Sequence, residues 1–279
     1  MTDMKDKNGR DITASRAFKE KLFRPFTKAI VEFDMIHPND RIGVCISGGK
    51  DSMLMAKLFQ ELKRHDKFPF ELRFIVMDPG YNEENRRMIE DNAAKLDIPI
   101  EIFETRIFDA VYKIDKSPCY LCARMRRGFL YQRARELGCN KIALGHHYDD
   151  VIETNLMGML WGGQIQTMMP KLHSQNYDGM ELIRPLYYVR EKDIENWRDR
   201  NDLRFLRCAC RFTEACEDDG SSKRLETKLL IRELKKTNPR VEANIFNSMR
   251  NVNTDTVLAY KMHGEIHKFT DDYYNGGEA

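Results

Sequence analysis

The sequence predicts an α/β fold in which a parallel sheet is flanked by helices, with an amino-terminal helix before it and a helical carboxyl-terminal region after it. Three observations predict it. Short apolar runs alternate with helix-forming stretches from residue 41 to beyond 150. Three polar motifs, at 47–52, 78–81 and 145–150, each follow one of the apolar runs, as ligand-binding turns do at the carboxyl ends of parallel strands. A chain of 279 residues with 42% hydrophobic content can also bury a sizeable core.

The elements follow in order. Phe18, Leu22, Phe26, Ile30 and Phe33 recur at helical spacing and mark a leading amphipathic helix that ends at the turn Ile36-His37-Pro38-Asn39-Asp40. Residues 41–46 read as a strand, and the apolar, helix-forming stretch 53–59 follows a glycine pair. The pattern repeats with a strand at 71–77, a helix at 83–95, a strand at 98–103, a helix at 125–137 and a strand at 141–144 before another helix. From 191 the pattern turns helical, at 191–200, 223–236 and 241–252, interrupted by a cysteine-bearing segment at 208–216. The tail from 271 is expected to fray. Three regions result: an extension over 1–38, a domain over 39–190 and a helical region over 191–279.

Composition limits the function classes. Charged residues make up 32% of the chain, but 46 basic and 44 acidic residues leave a net charge of only +2. The total therefore does not point to a polyanionic partner, whereas basic clusters do: Lys19, Lys21 and Arg24; Arg124, Arg126 and Arg127; Arg204, Arg207 and Arg211. No run of about 18 apolar residues occurs, and the first sixteen residues lack the apolar core of a signal peptide, so a soluble cytoplasmic protein with no membrane partner is expected. Seven cysteines suit reduced thiols or metal ligands better than a disulfide framework.

Ser47-Gly48-Gly49-Lys50-Asp51-Ser52 stands between a strand and a helix start. Backbone N–H groups there face outward at the positive end of the helix dipole and suit a phosphate. Gly48 and Gly49 allow close approach, Ser47 and Ser52 donate hydroxyls, Lys50 adds charge, and Asp51 can hold a metal ion or cap the helix. The Walker spacing is absent. Cys119-Tyr120-Leu121-Cys122 is half of a metal site, and alone it suits a redox dithiol, zinc or an iron–sulfur cluster equally. Its distant partners are Cys208, Cys210 and Cys216, whereas Cys45 and Cys139 suit buried packing. The adjacent histidines of Gly145-His146-His147-Tyr148-Asp149-Asp150 point apart and do not share one ion. Asp78 ends the second strand and is expected to line the adenosine pocket, because an aspartate is rarely buried unpaired.

The SGGKDS loop resembles the signature of the PP-loop ATPase superfamily, which has a Rossmann-type, adenine nucleotide alpha hydrolase-like fold and splits ATP into AMP and pyrophosphate. Joined to the CxxC, to Arg124-Met125-Arg126-Arg127, to Gly145–Asp150, and to the segments 169–172 (MPKL), 183–186 (IRPL) and 190–194 (REKDI), it closely resembles the tRNA 2-thiocytidine synthetase family, TtcA, over roughly residues 20–255. The resemblance implies ATP and Mg²⁺ as reactants, a [4Fe-4S] cluster, and a cytidine of a tRNA anticodon loop as acceptor, adenylated at its C2 oxygen and then thiolated. It implies cluster ligation by Cys119, Cys122 and a distant cysteine. Cys208 is favoured over Cys210, although the sequence departs here from the family's second CxxC-like pair. It implies nucleotide contacts from 47–52, Gly145 and His146, Mg²⁺ or proton handling by Asp150, and an active-site role for Arg126 beside Lys50. A sulfur donor (a cysteine desulfurase or free sulfide) and a homodimer are the further expected partners. The alternatives are thiolation of another tRNA base such as uridine or of a small molecule, lysidine-type amine ligation, and a non-catalytic iron–sulfur or zinc RNA-binding module. An intact SGGKDS and Asp150 argue against the last.

Overall fold

The computed structural model describes residues 13, 15–108, 118–206 and 223–273, with 118–120 and 272 described by backbone alone. The leading helix α1 runs through Arg16–Phe18, a π turn over Lys19–Phe23 and Arg24–Glu32. Pro25 carries no N–H, and the turn widens just ahead of it. Phe18, Leu22, Phe26 and Ile30 are buried, as their spacing predicts.

Strand β1 (Arg41–Ile46) leads through the glycine turn into α2 (Lys50–Arg64), and β2 (Glu71–Asp78) into α3 (Glu83–Lys95), whose first turn is capped by the Asn82 side chain. Next come β3 (Ile100–Glu104), α4 (Pro118–Glu136), β4 (Lys141–Ala143) and α5 (Tyr148–Leu160). Helix α4 begins seven residues before the expected 125, with Pro118, whose fixed φ suits a first helical position. This puts the CxxC on the helix's first turn.

Two three-residue strands, β5 (Lys171–His173) and β6 (Glu181–Ile183), are too short for a periodic signal and were not expected. The six-stranded sheet has the order β3-β2-β1-β4-β6-β5, parallel except for the antiparallel β5–β6 edge. Helices α6 (Glu191–Arg200), α7 (Lys223–Thr237) and α8 (Val241–Ser248) follow, with α7 and α8 packed on α5. The carboxyl-terminal region is not helical throughout. Strands β7 (Ala259–Met262) and β8 (Glu265–Lys268) form a hairpin whose His263-Gly264 turn has φ of +52° and +92°, and α9 (Phe269–Tyr273) occupies the start of the expected frayed tail.

One apolar core spans the three expected regions. It joins Phe26 and Ile30 of α1, Val44 and Val76 of the sheet, Leu54 and Phe59 of α2, Trp197 of α6, Ile231 of α7 and Phe246 of α8. At the amino ends of β1 and β4, buried Lys141 pairs with Asp40 at 3.4 Å and with Glu181, while Asn140 donates to Asp40 at 2.7 Å. Among the described residues, no helix is long and apolar enough to cross a membrane.

Candidate active site at the carboxyl ends of the central strands

Strands β1 and β4 are neighbours, but the chain leaves β1 toward β2 and reaches β6 from β4. The crevice between them is the topological switch point of the sheet. Both turns that leave these strands carry motifs, and they run against each other. A Cβ on Gly145 would sit 3.1 Å from the Ser52 amide nitrogen and 3.2 Å from its Cα, so only glycine lets the 144–147 turn lie on the start of α2. Gly48 has φ +83°, and a Cβ there would meet Ile89 at 2.7 Å.

The two serines brace the loop. Ser52 Oγ donates to the Gly49 carbonyl at 3.0 Å and accepts from the Ser47 amide at 3.1 Å, with Ser47 Oγ at 3.2 Å. The first-turn amides of α2, which have no partner within the helix, thereby stand at the positive end of its dipole. Such an arrangement suits an anion.

A charge network surrounds it. Lys50 Nζ lies 3.1 Å from Asp51 and 3.2 Å from Glu191, and Lys228 of α7 reaches the same Glu191 at 2.6 Å. Burial raises the Glu191 pKa, but Lys228 and Lys50 overcome it and bring the carboxyl down to about 2. Burial lowers Lys50, and Asp51 and Glu191 more than reverse that. Asp149 accepts from Arg190 at 3.0 Å and from the Glu191 amide at 2.7 Å, which fixes the start of α6 beside the start of α5.

His147 caps α5. Its Nδ1 accepts from the Asp150 amide at 3.4 Å while Asp150 Oδ2 accepts from the His147 amide at 2.9 Å. With Nδ1 an acceptor, the ring proton is on Nε2, which faces Asp51 Oδ1 at 3.8 Å. The imidazole therefore stands between Asp150, expected to handle Mg²⁺ or a proton, and Asp51, expected to hold a metal ion or cap the helix. Arg224 of α7 closes this side, 3.4 Å from Asp150 and 3.2 Å from Glu153; burial pushes the Glu153 pKa up to about 7 against the pull of Arg224.

The other expected residues are placed as follows. His146 sits near Arg184, its Nδ1 sequestered without a partner. Arg126 stacks over Phe108, 5.6 Å from the ring centroid, with its Nε buried and unpaired. Asp78 is buried, and its carboxylate closes the β2–α3 turn: Oδ1 accepts from the Gly80 and Tyr81 amides at 2.9 and 2.7 Å, and Oδ2 pairs with Arg86 at 3.3 Å. Cys122 is buried beside Met77, at the carboxyl end of β2, and Ile107. Position 119 lies one helical turn before it, at the end of α4 where the dipole favours thiolates. Cys45 and Cys139 are buried, as expected. Cys208, Cys210, Cys216, Arg207 and Arg211 lie outside the described residues, among which no cluster of three metal-ligating side chains occurs.

Sequence reasoning missed Glu191, His147, Lys228, Arg224 and Arg184 as site residues. Glu191 and Arg184 lie inside the segments 190–194 and 183–186, so their neighbourhood was visible and their role was not. Lys228 and Arg224 gave no signal, because a surface lysine or arginine on a helix looks the same whether or not it faces a site.

A family model described as a PP-loop domain matches residues 17–210. The chain is 36% identical over 255 residues to a tRNA-cytidine(32) 2-sulfurtransferase of Paraburkholderia xenovorans, covering 89% of this chain and 73% of the relative. It is 33% identical over 252 residues to the protein of that name from Anaeromyxobacter dehalogenans, covering 89% and 84%. The fold matches the U34-tRNA thiolase NcsA from Methanococcus maripaludis with its [4Fe-4S] cluster, with a TM-score of 0.67 at 20% identity over 92% of this chain and 88% of that one.

Proposed function

The chain belongs to the PP-loop domain family and stands with the tRNA-cytidine(32) 2-sulfurtransferases, and from that membership we infer that it replaces the C2 oxygen of cytidine 32 in tRNA by sulfur at the expense of ATP. The structural observation that carries the reading is that the SGGKDS loop after β1 and the buried Cys122 beside the end of β2 open on the same edge of the sheet.

The C2 oxygen of cytosine is a poor leaving group until it is esterified. Its attack on the α-phosphorus of ATP releases pyrophosphate and leaves an adenylated base; attack of a sulfur nucleophile at C2 then expels AMP. Pyrophosphate gathers charge as it leaves, and the first-turn amides of α2, Lys50 and Lys228 are placed to receive it. Ser47, Gly48, Gly49 and Ser52 hold the loop in shape, and Gly145 keeps the facing turn against it. Asp150 is proposed to handle Mg²⁺ or a proton, and Asp51, across the His147 ring from it, to hold a metal ion at the loop. Asp78 acts through the shape of its turn, where the adenosine is proposed to lie, and His146 borders the nucleotide. Arg126 lies on α4 one turn beyond Cys122 and is proposed to face the reacting base.

A [4Fe-4S] cluster, held by Cys119, Cys122 and Cys208 with Cys210 as the alternative third ligand, would carry the sulfur nucleophile. The short spacing on the first turn of α4 and the burial of Cys122 fit two ligands of such a group. A cysteine desulfurase or free sulfide as sulfur source, a homodimer and a cytoplasmic location complete the proposal; the exposed Leu229, Leu230 and Leu234 of α7 support self-association.

Nucleoside mass spectrometry of tRNA from cells lacking the protein tests the reading. Loss of 2-thiocytidine at position 32 is expected, and its unchanged persistence refutes it.

A further inference from the structure

Two segments that the sequence singles out, 169–172 and 183–186, have no role above beyond the place of Arg184 beside His146, and the structure joins them. The Arg184 amide donates to the Pro170 carbonyl at 2.9 Å, and its Nη1 donates to the Met169 carbonyl. The guanidinium so held is only 8% exposed. Among the described residues no carboxylate comes within ion-pair distance of it, and its Nε is buried without a hydrogen-bond partner.

Its charged neighbours are Arg127 of α4, His146 and the more distant Asp150. Burial first, then the like charge of Arg127, brings Arg184 down to about 10, so it stays cationic at neutral pH. Burial and then Arg184 itself bring His146 down to about 4, so that ring is neutral, with Nδ1 as sequestered and unpaired as Arg184 Nε. A buried cation with an unused N–H, facing another cation and an unpaired imidazole nitrogen, is a costly arrangement unless an anion completes it.

Position selects the anion. Strand β6, which delivers Arg184, lies beyond β4 on the side away from β1, so the guanidinium stands beside the β1–β4 crevice and not inside it. Arg127 is exposed and comes from α4, the helix that carries the CxxC at its start. A phosphodiester is a permanent monoanion with two free oxygens, the shape that a guanidinium fork matches.

We propose that Arg184, with Arg127 and His146, receives a phosphodiester group of the bound RNA next to the nucleotide being modified, a role that rests on the tRNA reading above. A phosphoryl oxygen of ATP offers the same chemistry, so the test has two arms. Binding of a synthetic anticodon stem-loop with cytidine at the target position is followed by fluorescence anisotropy across a salt series. Binding of a non-hydrolysable ATP analogue is followed by calorimetry, and thermal unfolding checks that each variant is folded.

Arg184→Gln is expected to weaken stem-loop binding about tenfold and to reduce the slope of log affinity against log salt by about one, as loss of one phosphate contact does. ATP-analogue affinity should stay within about twofold, below the tenfold that marks a lost contact. Arg184→Lys keeps the charge without the fork and should recover only part of the loss. Arg127→Gln, on an exposed helix face where folding is not at risk, should lower affinity and slope in the same direction, and it decides the matter if Arg184→Gln does not fold. Loss of the ATP analogue with RNA binding intact assigns Arg184 to the nucleotide and overturns the proposal. Unchanged affinity and slope in both glutamine variants overturn it as well, leaving a core arginine. A wild-type chain that binds no stem-loop at all sinks the tRNA reading together with this one, a result distinct from a wild type that binds RNA and variants that match it.

Discussion

Glu191→Gln removes a carboxylate that lies between two ammonium groups, at 3.2 Å from Lys50 and 2.6 Å from Lys228. The wild-type group falls from 4.5 to about 2 on folding. At ~1.36 kcal/mol per unit that shift corresponds to about 3 kcal/mol, which solvent access to this half-buried cluster reduces to about 1–2 kcal/mol. The sign follows from the depressed value: the stabilisation is fully present above the unfolded pKa of 4.5 and is lost as pH falls toward about 2. Urea unfolding of the cofactor-free chain at pH 7 should therefore show the variant about 1–2 kcal/mol less stable. The gap should narrow steadily below pH 4.5. Glu226→Gln is the control, because its pair with Lys223 is more than 40% exposed on both sides and is worth little. An equal loss at all pH values would mean that Glu191 acts through packing, and no loss at pH 7 would mean that solvent screens the cluster completely; either result refutes the argument.

Four further outcomes are expected. Lys50→Met should cut pyrophosphate release in the presence of tRNA by about 100-fold or more, the scale of losing a transition-state charge contact, with little change in thermal stability. Gly145→Ala places a Cβ against the Ser52 backbone at 3.1 Å and should cost about 1–3 kcal/mol in urea unfolding together with a weaker affinity for ATP. Glu153, raised to about 7, is most favourable when neutral, so wild-type stability should decline as pH climbs from 4.5 through 7; Glu153→Gln should flatten that part of a melting-temperature profile. Cys122→Ser should abolish bound iron and sulfide after anaerobic reconstitution, and Cys208→Ser should do the same, whereas an undiminished cluster in Cys208→Ser transfers the third ligand to Cys210.

Much of the fold was legible because its signals are local. The apolar spacing of Phe18, Leu22, Phe26 and Ile30 marks a helix face, and the run ending in Gly48-Gly49 marks a strand and its turn. What escaped was short or irregular. Strands β5 and β6 are three residues each, too brief to show a period, and the β7–β8 hairpin depends on a His263-Gly264 turn that carries no familiar two-residue signature. The apolar pattern begins only at Met125, because the polar and cysteine-rich residues before it interrupt it; Pro118 is the available signal for the earlier start of α4.

The site was legible as chemistry and not as a network. The sequence identifies Lys50, Asp51 and Asp150 by residue type and spacing, yet each meets a partner remote in the chain: Lys50 meets Glu191, Asp51 faces His147, Asp150 meets Arg224, and Glu191 in turn meets Lys228. Such partners are read only when the strand order is known, because β1, β4 and the starts of α5, α6 and α7 converge through topology and not through spacing. The consequence is physical. Glu191 already satisfies the two lysines with one negative charge, so a triphosphate bound at the loop as proposed would compete with that carboxylate for both ammonium groups. Because Lys228 and Arg224 both belong to the first turns of α7, that competition would act directly on the helix that begins at Lys223, seven positions after Cys216.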